Sequence, residues 1–212
     1  MKITLILTIF VILNYYVLNS ENILYAFLAL VIFNFLFTTV LEYLNDKYWK
    51  DDIPDEFKDY YDSKSYLKAK NYKIERGKIS SLSSFISLIF TVLMLFYFGF
   101  GFISDIAISL SDSEILQSSI FFMILYLFNF LIGIPLSYYS TFIIEEKYGF
   151  NKTDLKTFVI DKIKGLIISS VLIIGLTSLA VFIIEFFSSG FWLWLWIGLS
   201  LLMILINMFY AD

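Results

Sequence analysis

Six apolar runs, at residues 3–18, 23–44, 79–103, 115–144, 166–187 and 191–210, are separated by only two long hydrophilic stretches, 45–78 and 145–165. This spacing constrains the fold more than any other feature of the chain. Runs of this length approach or exceed the roughly 20 apolar residues a helix needs to cross a hydrocarbon core. With 59% hydrophobic and 16% charged residues, too much apolar side chain would face water in a soluble domain. The fold class is therefore all-α: a multi-pass transmembrane helix bundle of about six spans, with a cytoplasmic helical segment and an interfacial amphipathic helix. The lipid bilayer is its first partner, and nucleic acid is not one.

Each run has its own character. The first is slightly short, and Tyr16-Val17-Leu18-Asn19-Ser20 is a poor cleavage site. Residues 3–18 read as a retained span, with a signal peptide as the alternative. The run at 115–144 would be about 45 Å long as one helix, against a core of about 30 Å. It must tilt, kink or protrude, and Pro135 is the expected kink because it lacks a backbone donor. Beyond it, Leu155, Phe158, Val159 and Ile163 share a helical face, which predicts an interfacial helix ended by Gly165. Ser104 to Glu114 reads as a loop. Asn34, Asn129 and Asn207 lie inside runs and are expected to face the bundle interior. Trp192, Trp194 and Trp196 read as an interfacial belt.

Lysine and arginine fix the orientation. All fifteen fall at Lys2, in 45–78 or in 145–165. With six spans these three regions share one side, so the positive-inside tendency places both termini in the cytoplasm. The nine bases of 45–78 are matched by eight acids there, so a polybasic lipid-binding patch is a weak reading.

The chain has neither histidine nor cysteine. Thiolate nucleophiles, imidazole bases and the usual zinc ligands are thereby excluded from it, and with them any catalytic or metal-binding residue set of those kinds. No pair of intramembrane aspartates and no mid-span lysine offers an aspartyl or Ser/Lys mechanism. Glu145 and Glu146 could hold a cation or act as acid and base, yet adjacent helical residues point about 100° apart. Their plainer role is a membrane-exit anchor paired with Lys147 or Lys152. On these residues alone the chain is a scaffold, a channel wall or part of a transporter.

The stretch around those carboxylates is the most specific in the sequence. Thr141-Phe142-Ile143-Ile144-Glu145-Glu146-Lys147-Tyr148-Gly149-Phe150-Asn151-Lys152, followed by Phe158, Asp161, Lys162 and Lys164, forms a turn between apolar run and amphipathic helix. It resembles the signature of the type 1 CAAX prenyl proteases, integral-membrane zinc metallopeptidases. Tyr66 to Tyr72 and Met208-Phe209-Tyr210-Ala211-Asp212 add to the likeness, which covers roughly residues 33–212 and corresponds to the N-terminal membrane half of such an enzyme. Two departures stand out: an additional span before the first cytoplasmic segment, and Tyr148 where histidine or phenylalanine is common.

The resemblance implies a division of labour. An H-E-x-x-H motif in the C-terminal catalytic half, absent from this chain, would hold zinc and activate water. The part in hand would form the wall of an intramembrane proteolytic chamber for a membrane-bound or lipidated protein substrate, without being catalytic itself. The elbow Glu145, Glu146, Lys147, Tyr148, Gly149, Phe150, Asn151, Lys152, with Asp161 and Lys164, would contact the catalytic half or the chamber. Because the sequence ends inside a family motif, it reads as a piece of a longer polypeptide, a truncated gene product or one part of a split protein. The alternative is a freestanding membrane scaffold or adaptor without a protease half.

Overall fold

The computed structural model describes residues 20–53, 58, 60, 62–187 and 189–210; the run at 3–18 lies outside them. Every regular element among the described residues is helical: α1 (Ser20–Tyr48), α2 (Ser63–Phe96), α3 (Gly99–Leu110), α4 (Glu114–Tyr139), a π-helical segment (Ser140–Glu145), α5 (Leu155–Phe187) and α6 (Phe191–Tyr210). Four helices are long and apolar enough to cross a membrane: Glu21–Tyr48, Ser63–Phe96, Glu114–Glu145 and Leu155–Phe187. Gly99–Leu110 and Phe191–Leu205 are shorter apolar helices.

The chain divides into two compact units, Met1–Phe100 with Gly133–Lys152 and Gly101–Ile132 with Thr153–Asp212. In the first, α1 and α2 run antiparallel, since Phe35 meets Phe85, Glu42 meets Ser81 and Trp49 meets Tyr66. A compact joint closes the pair. The Lys70 ammonium, almost fully buried, donates to the Trp49 carbonyl just past the end of α1 and, at 2.7 Å, to Asp51. A cation there satisfies a carbonyl the helix leaves open and suits the negative end of its dipole. At the other end of this joint Asp62 caps α2 by accepting from the Ser65 N–H at 2.9 Å. Hydrogen bonding from the Ser65 side chain, and then from its backbone N–H, holds the Asp62 carboxyl below the usual aspartate value.

In the second unit, the first part of α4 packs on α5 through hydroxyls. Ser119 and Thr177 lie 2.7 Å apart, both buried, and each is also within reach of a carbonyl in its own preceding turn, so that one hydroxyl donates across to the other while the second donates to its carbonyl. Small hydroxyl residues allow close helix approach where lipid tails supply no hydrophobic drive. Across the turn at Gly190, Phe187 stacks on Trp194 at 4.7 Å.

Several boundaries differ from those expected of the sequence. The third run does not continue to Ile103: α2 ends at Phe96, Phe98 takes a left-handed φ of 55°, and α3 begins at Gly99. Ser104 to Leu110 is accordingly helix rather than loop. The interfacial helix is not a separate element, because α5 passes through Gly165 unbroken. A glycine costs a helix interior only about 1 kcal/mol, less than opening several backbone hydrogen bonds at the edge of an apolar run. Helix α4 carries Pro135 in its interior, as a kinked helix would, and α geometry gives way in the π segment that begins at Ser140. Asn129 and Asn207 are exposed and satisfy their amides on carbonyls four residues back. Asn34, exposed as well, lines a cleft between α1 and α2 with Thr38, Ser84, Ser87 and Thr91.

Candidate functional site at the membrane elbow

The elbow is built by three local devices in succession. In the π segment, hydrogen bonds span five residues, and each such turn holds more residues than an α turn, so the residues beyond it are rotated about the helix axis. The helix then stops in a two-bond cap. The Phe150 N–H donates to the Glu145 carbonyl at 2.8 Å, and the Gly149 N–H to the Glu146 carbonyl at 2.9 Å. This is the Schellman arrangement, and it requires a left-handed residue, which Gly149 supplies at φ 67°. Finally, Asp154 caps α5 by accepting from the Thr157 N–H at 2.7 Å, and hydrogen bonding from the Thr157 side chain, then from that N–H, lowers its carboxyl below the usual aspartate range.

One face of α2 receives this elbow. Lys68, Tyr72, Glu75 and Arg76 are spaced i, i+4, i+7, i+8, so a single stripe of the helix presents them together. The Tyr72 ring meets Phe150 edge-on at 4.9 Å and Tyr148 at 5.6 Å. The Lys68 ammonium sits 4.9 Å from the Phe150 ring centre. Arg76 donates to the Tyr72 hydroxyl at 2.8 Å and lies 3.9 Å from the Glu145 carboxylate, toward which the Tyr72 hydroxyl makes a long 3.5 Å bond. Lys147 pairs with Glu75.

The two carboxylates therefore have separate partners. Glu145 faces Tyr72 and Arg76, whereas Glu146 accepts from the Asn151 amide at 2.8 Å. The expected anchoring by Lys147 or Lys152 is corrected: Lys147 goes to Glu75 on α2, and Lys152 is exposed at the end of the first unit. Ile144, at 3% exposure, is the buried apolar point of the π segment. Asp161 and Lys164 belong to the second unit, where they face one another across one turn of α5 at 3.9 Å, both well exposed. The elbow motif is thus brought onto α2 through Glu145, Lys147, Tyr148 and Phe150, while Asn151 closes back on the Glu145 carbonyl and the Glu146 carboxylate.

Electrostatics here follow contact. Glu75 beside Lys147 holds the ammonium above the ordinary lysine value. Partial burial, and then the Glu75 carboxylate, push the Tyr148 phenol up. The sequence singled out Tyr66 to Tyr72 by resemblance, but not the contact of this face of α2 with the elbow, nor Glu75 and Arg76. The four-residue stripe was the available signal, since two lysine or arginine side chains, a tyrosine and a glutamate on one helical face are unusual beside an apolar run.

No group of three histidine, cysteine, aspartate or glutamate side chains that could hold a metal occurs among the described residues. With no imidazole or thiolate in the chain, these residues do not fit a zinc centre. The elbow is an interlock of aromatic, charged and backbone contacts.

Comparison with known proteins identifies the family. The family described as CAAX prenyl protease N-terminal, five membrane helices, matches residues 42–212. The mouse CAAX prenyl protease 1 homolog is 28% identical over 167 residues, covering 76% of this chain and 35% of its own length. A probable CAAX prenyl protease 1 of Schizosaccharomyces pombe is 36% identical over 147 residues, 63% of this chain and 31% of its own. The crystal structure of S. mikatae Ste24p superposes with a TM-score of 0.73 at 29% identity, covering 85% of this chain and 44% of that one. The chain thus spans 31% to 44% of the length of these proteins. With most of its length matched by the family and the same helical arrangement in a solved relative, the chain belongs to the CAAX prenyl protease N-terminal family.

Proposed function

We propose that this chain is the N-terminal membrane part of a type 1 CAAX prenyl protease-like zinc metalloendopeptidase. It forms the wall of an intramembrane chamber, and a C-terminal half carrying the zinc ligands performs the chemistry. The observation that carries the reading is the elbow, a specific family motif whose fold is fixed by its own cap and by a dedicated face of α2. A rigid elbow at the end of a span is suited to docking a second domain, because its exposed members keep a fixed geometry. In the first unit, exposed Lys152 is a charge available to that partner; in the second, Asp161 and Lys164 are exposed on α5. The substrate class, a membrane-bound or lipidated protein, is suggested by the names of the relatives. Both termini and both hydrophilic stretches are placed on the cytoplasmic side.

Three measurements test this. Reading the gene past Asp212 should show an in-frame H-E-x-x-H, while a stop codon there favours a freestanding scaffold. In the complete enzyme, Glu145→Gln, Glu146→Gln or Asn151→Ala should lower proteolysis or assembly; full activity and assembly in all three would defeat the docking role. Reporter tags near Lys68 and Lys156 should map to one face of the bilayer.

A further inference from the structure

A second feature of the first unit adjoins the elbow and shares Tyr72 and Arg76 with it. Between the C-terminal third of α1 and the middle of α2 lies a cavity of about 610 Å³, within the ~300–1,000 Å³ range of small-ligand sites. It sits where both helices cross from apolar to charged sequence: α1 leaves its apolar run at Leu44 and α2 enters its own at Ile79. Its two walls carry opposite charge. Glu42 and Asp46 line it from α1, and Lys73, Arg76 and Lys78 from α2.

A glycine in this wall narrows the possibilities. Gly77 lies in the interior of α2, where alanine would be more stable. A Cβ there would meet nothing within 4 Å. No protein atom needs the glycine, yet it opens the α2 backbone to the cavity beside the three cationic side chains. That is what close approach by a ligand requires.

We propose that this cavity binds the headgroup of a zwitterionic phospholipid with a primary ammonium, of the phosphatidylethanolamine class. The phosphate lies over Gly77 against Lys73, Arg76 and Lys78, and the ammonium donates to Glu42 and Asp46. Depth favours a lipid, because the cavity lies at the level where spans meet headgroups. Walls of both signs favour the zwitterion, since the two carboxylates of the α1 wall give its ammonium partners that an anionic lipid without one would leave facing its own charge. Glu42 retains acceptor capacity while its carboxylate takes the Ser81 hydroxyl at 3.1 Å.

The test is native mass spectrometry of the detergent-solubilised chain with added phosphatidylethanolamine, phosphatidylglycerol or inorganic phosphate. One phosphatidylethanolamine should be retained in preference to phosphatidylglycerol, and inorganic phosphate should not displace it. Gly77→Leu, which covers the open backbone and intrudes on the cavity, should weaken retention by about tenfold, as should the charge reversals Glu42→Lys and Lys78→Glu. Gly77→Ala strengthens the helix and serves as the folding control, keeping most of the binding. Should Gly77→Leu fail to fold, the two charge reversals decide. Equal retention by these variants, preference for phosphatidylglycerol, or displacement by inorganic phosphate would each overturn the assignment.

Discussion

The two units solve helix association by different chemistry. In the first, α2 extends well beyond its apolar run, and the joints lie among charged and aromatic side chains: Lys70 on the α1 end, and Tyr72, Glu75 and Arg76 on the elbow. In the second, α4 and α5 meet at apolar depth through Ser119 and Thr177, with Ser170 against Met123 at 3.6 Å. Outside the hydrocarbon, water competes for every polar group, so a joint holds only by combining rings, charges and caps. Within it, one pair of small hydroxyls suffices because neither has a better partner in lipid. Position relative to the membrane, more than sequence distance, decides which device is used.

The contrast between the units is largest at Tyr72. Tyr72→Ala removes the ring on which both Tyr148 and Phe150 pack and the hydroxyl shared with Arg76. For a half-buried tyrosine the loss should be about 2 kcal/mol, below the range for fully buried aromatics. Thermal unfolding followed by tryptophan fluorescence reads it, and Tyr72→Phe, keeping the ring, should recover more than half. An equal drop for both variants would move the joint from packing to hydrogen bonding. Next comes Gly149→Ala. A methyl there would come within 3.9 Å only of Lys68 Nζ, so there is no clash and the cost is backbone strain alone, about 1 kcal/mol for a left-handed residue. Protease nicking between α4 and α5 should accelerate accordingly.

These two residues also show what the sequence makes legible. Gly149 between two aromatics reads as a turn without coordinates, because positive φ has few tenants, and the long apolar runs announce helices for the same kind of reason. Tyr72 did not announce its contact with the elbow. Its role depends on which face of α2 meets the elbow, and that is set by the rotation the π segment introduces, for which no residue in Ser140–Glu145 gives a signal. Gly165 failed as a stop because helix continuity outweighs a weak propensity penalty there. Asn129 and Asn207 failed as interior markers because an amide can satisfy itself on its own helix.

The apolar-depth joint should respond less. In Ser119→Ala the partner Thr177 still donates to the Ile173 carbonyl, so no hydroxyl is stranded. The cost should be about 0.6 kcal/mol, the average for interhelical polar pairs in membranes. Double-mutant cycles with Thr177→Val measure the coupling directly, and a value as large as that of the Tyr72 joint would erase the distinction between units.

The smallest effect is also the one with a definite sign. Lys147 has its ammonium raised by Glu75, and Tyr148 has its phenol raised by burial and by the same carboxylate. A group whose folded value lies above its unfolded one stabilises fully below the unfolded value and loses that contribution as pH climbs through the folded one. Both groups therefore act in the same direction, and the loss begins above about pH 10. Since the Lys147 pair is exposed and screened by salt, the change in unfolding temperature should be slight, and smaller still at high ionic strength. Lys147→Met should flatten the alkaline slope without altering the plateau shape at neutral pH. A slope unchanged in that variant would assign the alkaline loss to Tyr148 alone, leaving the elbow held to α2 by its rings and by Arg76.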